Sequence, residues 1–254
     1  MNILKNPVTH GISIDDPKTT LLRKNIIQNK SYLKKIYQEW YESIVTELPS
    51  SAGPILELGS GAGFLNEYIP DVITSEVFFT PIVSIIIDGC SLPFKNQSLR
   101  SIVMVDVFHH IPNSRNFLSE AARCLRIGGR VIMVEPWLTP WSQFIYKYFH
   151  HEPCLPDVVD WGFPSSGPLS GANSALPWIV FERDEDSFKK DFPQFHIAEI
   201  RVWMPFRYLL SGGLAFRSFM PGFSFEFWKK FESCLGKWNK KLGMFAAVVL
   251  DRVE

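Results

Sequence analysis

Three glycines at alternate positions, Gly59, Gly61 and Gly63, follow the short apolar run Pro54-Ile55-Leu56-Glu57-Leu58. Such a run reads as a buried strand, and glycines after it let the chain turn sharply and let a ligand approach backbone that carries no Cβ. A small nucleotide-like ligand is therefore expected across this turn. A dinucleotide fingerprint needs its third glycine three positions after the second, where this chain has Phe64. Glu57, two positions before the first glycine, would also repel a pyrophosphate lying over the start of a following helix. A cationic or zwitterionic ligand suits both features better.

Further candidates fall at the ends of later apolar runs. Glu76 lies near the end of Val72 to Val77, Asp88-Gly89-Cys90 follows Ile82 to Ile87, and Ile102 to Phe108 leads into His109-His110-Ile111-Pro112. In a parallel doubly wound sheet, ligands gather outside the carboxyl ends of the strands, so Glu57 and Glu76 are expected to face one crevice. Each of these residues also has a plain structural reading: Glu76 as a solvated loop acid, Asp88-Gly89 as a turn, the paired histidines as packing.

Taken together, Glu57-x-Gly59-x-Gly61-x-Gly63, Asp88-Gly89-Cys90-Ser91-Leu92-Pro93-Phe94, Val107-Phe108-His109-His110-Ile111 and Leu125-Arg126-Ile127-Gly128-Gly129 resemble the motifs of the class I S-adenosylmethionine-dependent methyltransferases. The resemblance rests on residues 54–135 and holds elsewhere only in outline. It implies S-adenosylmethionine as cofactor, S-adenosylhomocysteine as product, and a cofactor site built from Glu57, Gly59, Ser60, Gly61, Gly63, Glu76, Val77, Asp88, Gly89, Cys90, Asp106 and His109. Within that site Glu76 would take the ribose hydroxyls through charge-assisted hydrogen bonds. Asp88 would accept from the adenine amine, with Gly89 and Cys90 offering backbone.

Methyl transfer is an in-line displacement that needs no charged nucleophile on the enzyme, only an acceptor held close and aligned. A hydroxyl acceptor would gain from a nearby base, and His110 is the leading candidate, ahead of His109, His150, His151 and Glu135. His150, His151 and Glu152 are consecutive, and consecutive residues seldom converge on one ion, so no metal is expected.

These motifs need an α/β scaffold, a Rossmann-like, mostly parallel seven-stranded sheet with helices on both faces and an inserted cap after strand five. Ahead of it, Leu33, Ile36, Tyr37, Trp40, Tyr41, Ile44, Val45 and Leu48 form one face of a helix with Ser31 as its N-cap and Pro49 as its stop. A short helix is expected from Phe64 to Tyr68. Only Phe78 to Pro81 separates strands two and three, too few residues for a crossover helix. Strand four is expected over Ile102–Phe108, then a helix capped by Asn113 and ended by Gly128-Gly129, then strand five over Arg130–Glu135. The aromatic, Pro- and Gly-rich passage 136–195 is expected to cap the crevice, with Trp137, Trp141, Trp161 and Trp178 as an apolar lining for the acceptor. Strand six (196–203), a helix over 225–242 striped by Phe227, Trp228, Phe231, Leu235 and Trp238, and an antiparallel last strand (244–253) complete one domain over 1–254, in which 1–50 is a helical extension and 51–135 the cofactor-binding core.

Composition narrows the partners. With 254 residues and 46% hydrophobic content the chain can bury a full core. Lys plus Arg equals Asp plus Glu, at 26 each, and no long basic run occurs, which argues against nucleic acid as partner. Cys90, Cys124, Cys154 and Cys234 form no paired motif, so reduced thiols and a cytoplasmic location are expected. No apolar run is long enough to cross a bilayer. Three functions remain: a methyltransferase acting on a small molecule or biosynthetic intermediate, a fold-retaining protein that binds S-adenosylmethionine or a partner without catalysis, and, disfavoured by Phe64 and Glu57, a nicotinamide-dependent oxidoreductase.

Overall fold

The computed structural model describes residues 16–149, 152–164, 167 and 171–254. Its centre is a seven-stranded sheet in the order β3-β2-β1-β4-β5-β7-β6, with β1 Ile55–Glu57, β2 Ile73–Glu76, β3 Ile85–Ile86, β4 Leu99–Val105, β5 Leu125–Pro136, β6 Phe195–Trp203 and β7 Phe245–Arg252. β1 to β5 are parallel, and β7 runs antiparallel to both β5 and β6. The order reverses between β1 and β4, so the crevice opens at the carboxyl ends of those two strands.

Alternation along the strands divides the core between the two faces. Leu56, Ile102, Met104 and Met133 point to one face, where Phe117, Leu118 and Ala121 of α3 (Ser114–Cys124) meet them, along with Phe181 and Phe188. Phe181 belongs to a helical passage, α5 (Leu176–Trp178) continuing into a wide turn over Ile179–Arg183, and Phe188 to α6 (Glu185–Asp191). Ile55, Val103, Ile132 and Val249 point the other way, onto Ile36, Trp40, Tyr41 and Ile44. Those four form the buried stripe of α2 (Ser31–Glu47), where the apolar spacing placed it. Before α2 lies α1 (Lys18–Asn29), which sequence periodicity did not reveal because its apolar residues form no stripe; only Ile26 and Ile27 among them are buried.

Several boundaries differ from expectation, each for a local reason. No α-helix follows the glycine turn: Leu65–Glu67 is a single 3-10 turn, because Phe64 takes a non-helical backbone (φ −146°, ψ 34°) and is buried against Tyr41 instead of starting a helix. β3 shrinks to two residues, and no helix lies between β2 and β3 or between β3 and β4. Strand four ends at Val105, because Asp106 adopts φ +61° and turns the chain out of the sheet. The helix capped by Asn113, whose Oδ1 accepts from Asn116 N at 3.1 Å, ends at Cys124. Leu125 already pairs with Leu99, so Gly128 and Gly129 sit inside β5, where the register against β4 shifts. The helix over 225–242 breaks into α8 (Phe225–Cys234) and α9 (Asn239–Leu242), and much of its stripe faces outward, with Phe227 67% and Trp238 54% exposed.

The passage after β5 is part of the body. α4 (Pro140–Phe149) leads into a loop whose Leu155 N donates to Asn173 Oδ1 at 2.9 Å and whose Gly162 bridges to Asn113. Trp137 and Trp161 are core residues; Trp161 Nε1 donates to Asp184 Oδ2 at 2.8 Å, and Arg115 stacks on its ring at 4.1 Å. Trp178 packs on the same core, and Trp141 Nε1 donates to Pro205 O at 2.9 Å. The tryptophans thus hold this passage down, and the apolar lining expected of Trp137 and Trp161 is not there. Among the described residues no helix is long and apolar enough to cross a membrane. α7 (Arg207–Ser211) completes the body and carries the buried Arg207.

Candidate functional site

The glycine turn is stitched to β2. Ser60 N donates to Ser75 O at 2.7 Å, Ser75 N donates to Ser60 Oγ at 3.0 Å, and Ser75 Oγ donates to Glu57 O at 2.8 Å. The Ser60 amide and hydroxyl are therefore committed to the protein. Gly59 (φ +64°) and Gly61 (φ +49°) occupy the left-handed region that favours glycine. The glycines are bare for different reasons. A Cβ on Gly59 would lie 2.6 Å from Val107 Cγ2, one on Gly63 would strike the Tyr41 hydroxyl, and one on Gly89 would lie 2.9 Å from Leu58 Cδ2. At Gly61 a Cβ would meet only Glu76 Oε1, at 3.2 Å, and the Gly59 carbonyl, at 3.7 Å. The Cβ positions of Gly59 and Gly63 are thus taken by Val107 and Tyr41, whereas that of Gly61 is open.

Glu57, Ser60, Gly61 and Gly63 line a cavity of about 350 Å³ whose far side is Lys24 of α1 and residues 81–84. Glu57 is buried, and burial, aided by the charge of Glu76 and opposed by a hydrogen bond with Ser60, pushes its carboxyl up to about 7. Glu76 turns toward Gly61; burial raises its carboxyl too, against the amides of Val77 and Gly61 and the charge of Arg23. Val77 contributes its amide, which donates to Glu76 Oε2 at 3.1 Å, while its side chain is exposed.

Asp88 is exposed, and its Oδ1 accepts from Cys90 N at 2.8 Å, closing a turn on itself. Cys90 Sγ reaches Asn113 O at 3.5 Å, and burial pushes the thiol up to about 11. The Asp88-Gly89-Cys90 segment is thus a self-capped turn at the edge of the crevice, and the cavity beside Gly61 does not include it.

The second cluster forms where β4 and β5 end. Glu135, fully buried, accepts at Oε1 from Val107 N at 2.8 Å and Phe108 N at 2.7 Å, and its Oε2 is 2.8 Å from His109 Nδ1. It satisfies the amides freed when Asp106 leaves the sheet and fixes the His109 ring. Sequence reasoning had ranked Glu135 as a minor candidate base; the available signal was an acid ending an otherwise apolar buried strand, which requires partners. His109 Nε2 faces Glu152 Oε2 at 3.4 Å and Asp106 Oδ1 at 4.0 Å. Burial lowers the His109 ring, but the hydrogen bond with Glu135 and the nearby carboxylates of Glu152 and Asp106 overrule it and hold the ring well above its usual range. His110 Nδ1 is 3.0 Å from Gly171 O, and burial together with the His109 charge drops that ring to about 4, which makes it a weak base. Burial raises Asp106 to about 7, against the pull of His109 and with the push of Glu152 and Glu135. The charge of Arg23 acts on both Glu76 and Asp106. His150 and His151 lie outside the described residues.

Residues 56–133 match a family profile described as a methyltransferase domain. The stretch matched holds the glycine turn, the Asp88 segment, the β4 end and most of β5, and the resemblance to the class I, S-adenosylmethionine-dependent methyltransferases is borne out there. None of the curated proteins compared with the chain matches it. Solved structures share the fold at low identity. A chain of the complex between the Haloferax volcanii Trm112 methyltransferase activator and the methyltransferase solved with it superposes with TM-score 0.54 at 14% identity, covering 95% of this chain and 98% of that one. Geranyl diphosphate C-methyltransferase from Streptomyces coelicolor, in complex with Mg²⁺, geranyl diphosphate and S-adenosylhomocysteine, gives 0.53 at 14%, covering 98% and 90%. A Thermotoga maritima S-adenosylmethionine-dependent methyltransferase described as a possible histamine N-methyltransferase gives 0.53 at 15%, covering 85% and 89%.

Proposed function

We propose that the chain binds S-adenosylmethionine over Gly61, with Glu57 and Glu76 beside it, and transfers its methyl group to a small-molecule acceptor in the crevice below the β4 and β5 ends. The single observation that carries the binding step is Gly61, open at φ +49° beside two buried carboxylates. That environment favours a sulfonium and an ammonium and opposes a pyrophosphate. In the transfer, a lone pair on the acceptor forms the bond to the methyl carbon as the carbon–sulfur bond breaks, and sulfur keeps the bonding pair in S-adenosylhomocysteine. Where the acceptor loses a proton, Asp106, poised near 7, is a better recipient than His110 near 4. Release of labelled methyl from the cofactor to a panel of hydroxyl, amine and thiol acceptors tests transfer.

A second reading draws on the missing crossover helices. With no α-helix between β1 and β4 in the strand sequence, the connections in the half of the sheet beside Gly61 are reduced to turns. Such a chain suits a binding role without catalysis, and cofactor binding with no methyl release to any acceptor class would favour it.

The carboxyl of Glu57 makes cofactor affinity depend on pH. A group with pKa about 7 is mostly protonated at pH 6 and mostly ionised at pH 8, and only the ionised form attracts a cation. Affinity for S-adenosylmethionine is expected to tighten by roughly tenfold from pH 6 to pH 8. Calorimetry across that range checks it, and Glu57→Gln should flatten the profile; a flat wild-type profile contradicts the role of Glu57.

A further inference from the structure

His109, His110 and Glu152 converge. One ligand-capable atom from each, the two Nε2 atoms and a carboxylate oxygen, lie within 4.8 Å of one another. The outer nitrogens of both rings are already assigned. His110 Nδ1 faces the Gly171 carbonyl at 3.0 Å, which can only accept, so Nδ1 carries the hydrogen. His109 Nδ1 faces Glu135 Oε2 at 2.8 Å, while Oε1 of the same carboxylate accepts two backbone amides, so this Nδ1 also donates. That leaves the two Nε2 atoms for any further partner, and both lie near one carboxylate: Glu152 Oε2 is 3.4 Å from His109 Nε2, and Glu152 Oε1 is 3.6 Å from His110 Nε2. His109 Nε2 is fully buried and makes no hydrogen bond.

One cation held by all three groups would give the buried His109 Nε2 a partner. Ligands around one ion at about 2.0–2.2 Å lie roughly 3–4 Å from each other, the spread seen here. Nδ1 hydrogen bonds to a carboxylate and to a backbone carbonyl are also the supports that orient histidine ligands on metals.

We propose that His109, His110 and Glu152 bind one divalent metal ion of the zinc class, with Asp106 Oδ1, 4.0 Å from His109 Nε2, the nearest further oxygen donor. Two imidazoles and a carboxylate form a borderline N₂O set that suits zinc better than magnesium or calcium. The site joins the end of β4 to the loop after α4. The metal site stands without the methyltransferase reading; only a role for the ion in holding an acceptor oxygen or sulfur rests on it.

Chelator-stripped full-length protein, titrated calorimetrically with Zn²⁺ and separately with Mg²⁺, is expected to bind one equivalent of zinc and magnesium at least a hundredfold more weakly. His110→Ala and Glu152→Ala, made at partly exposed positions, should each lose at least a hundredfold in zinc affinity while keeping the wild-type circular dichroism. His109→Ala would orphan Glu135 and risks misfolding, so the two other variants decide. Absence of stoichiometric zinc in the wild type, or zinc affinity unchanged in both variants, overturns the site. Titration of the same samples with S-adenosylmethionine separates this failure from failure of the cofactor reading.

Discussion

Gly61→Val is expected to lower affinity for S-adenosylmethionine by at least about a hundredfold while leaving a folded protein. At φ +49° a β-branched residue is strained by roughly 1–2 kcal/mol, which a chain of this size tolerates. Its first side-chain carbon would stand 3.2 Å from Glu76 Oε1, and the two methyl groups beyond would fill the opening over the turn. The comparison with Gly59→Val makes the test specific. There the added carbon would meet Val107 Cγ2 at 2.6 Å, so folding, and not binding alone, should suffer. Calorimetric titration together with an unfolding midpoint for each variant checks both. Retained affinity in a folded Gly61→Val protein would remove the site.

Arg207→Met is expected to destabilise the fold by about 3–5 kcal/mol, because it leaves the buried Glu232 carboxylate without its cation and takes the bidentate partner from half-buried Glu39, which keeps only Lys229 at 3.2 Å. Arg207 is 3% exposed and Glu232 is 5% exposed. The guanidinium binds Glu39 of α2 at both oxygens, at 2.6 and 2.8 Å, and pairs through Nε with Glu232 of α8. Glu232 Oε1 also accepts from Phe206 N at 2.8 Å and Arg207 N at 2.7 Å, so it starts α7 as well. Three helices distant in sequence meet on this one side chain, and α2 carries the Tyr41 that buttresses Gly63. Guanidinium unfolding should show a lower midpoint with an unchanged slope. A loss below about 1 kcal/mol would mean that water reaches the pair, and the triad would then hold nothing together.

The strands and the glycine turn were legible because their signals are local: continuous apolar runs, glycines at fixed offsets, an apolar stripe for α2, whose expected cap Ser31 lies inside the helix and caps nothing. What periodicity missed depended on distant partners. Phe64 reads as the first residue of a helix until Tyr41 is seen to bury it, and Leu125 to Gly129 read as a helix end until β4 is seen to pair there. The tryptophans after β5 look like an acceptor lining in one dimension and prove to be packing in three. At the site, Glu57 and Glu76 face the turn as their positions at strand ends implied. Glu135 shows in its own neighbourhood only as an acid ending an apolar strand, while the two amides and the ring that it gathers lie beyond the end of another strand. The approach of Glu152 to the paired histidines was likewise invisible, since more than forty residues separate them in sequence.

The account turns on which nucleotide-like ligand settles over Gly61. Calorimetric titration of the full-length protein with S-adenosylmethionine, S-adenosylhomocysteine and the nicotinamide dinucleotides is the most direct measurement. Saturable one-to-one binding of the first two with no heat from the dinucleotides is the predicted result. Binding of a nicotinamide dinucleotide, or a folded protein that takes up neither adenosyl compound, would contradict it.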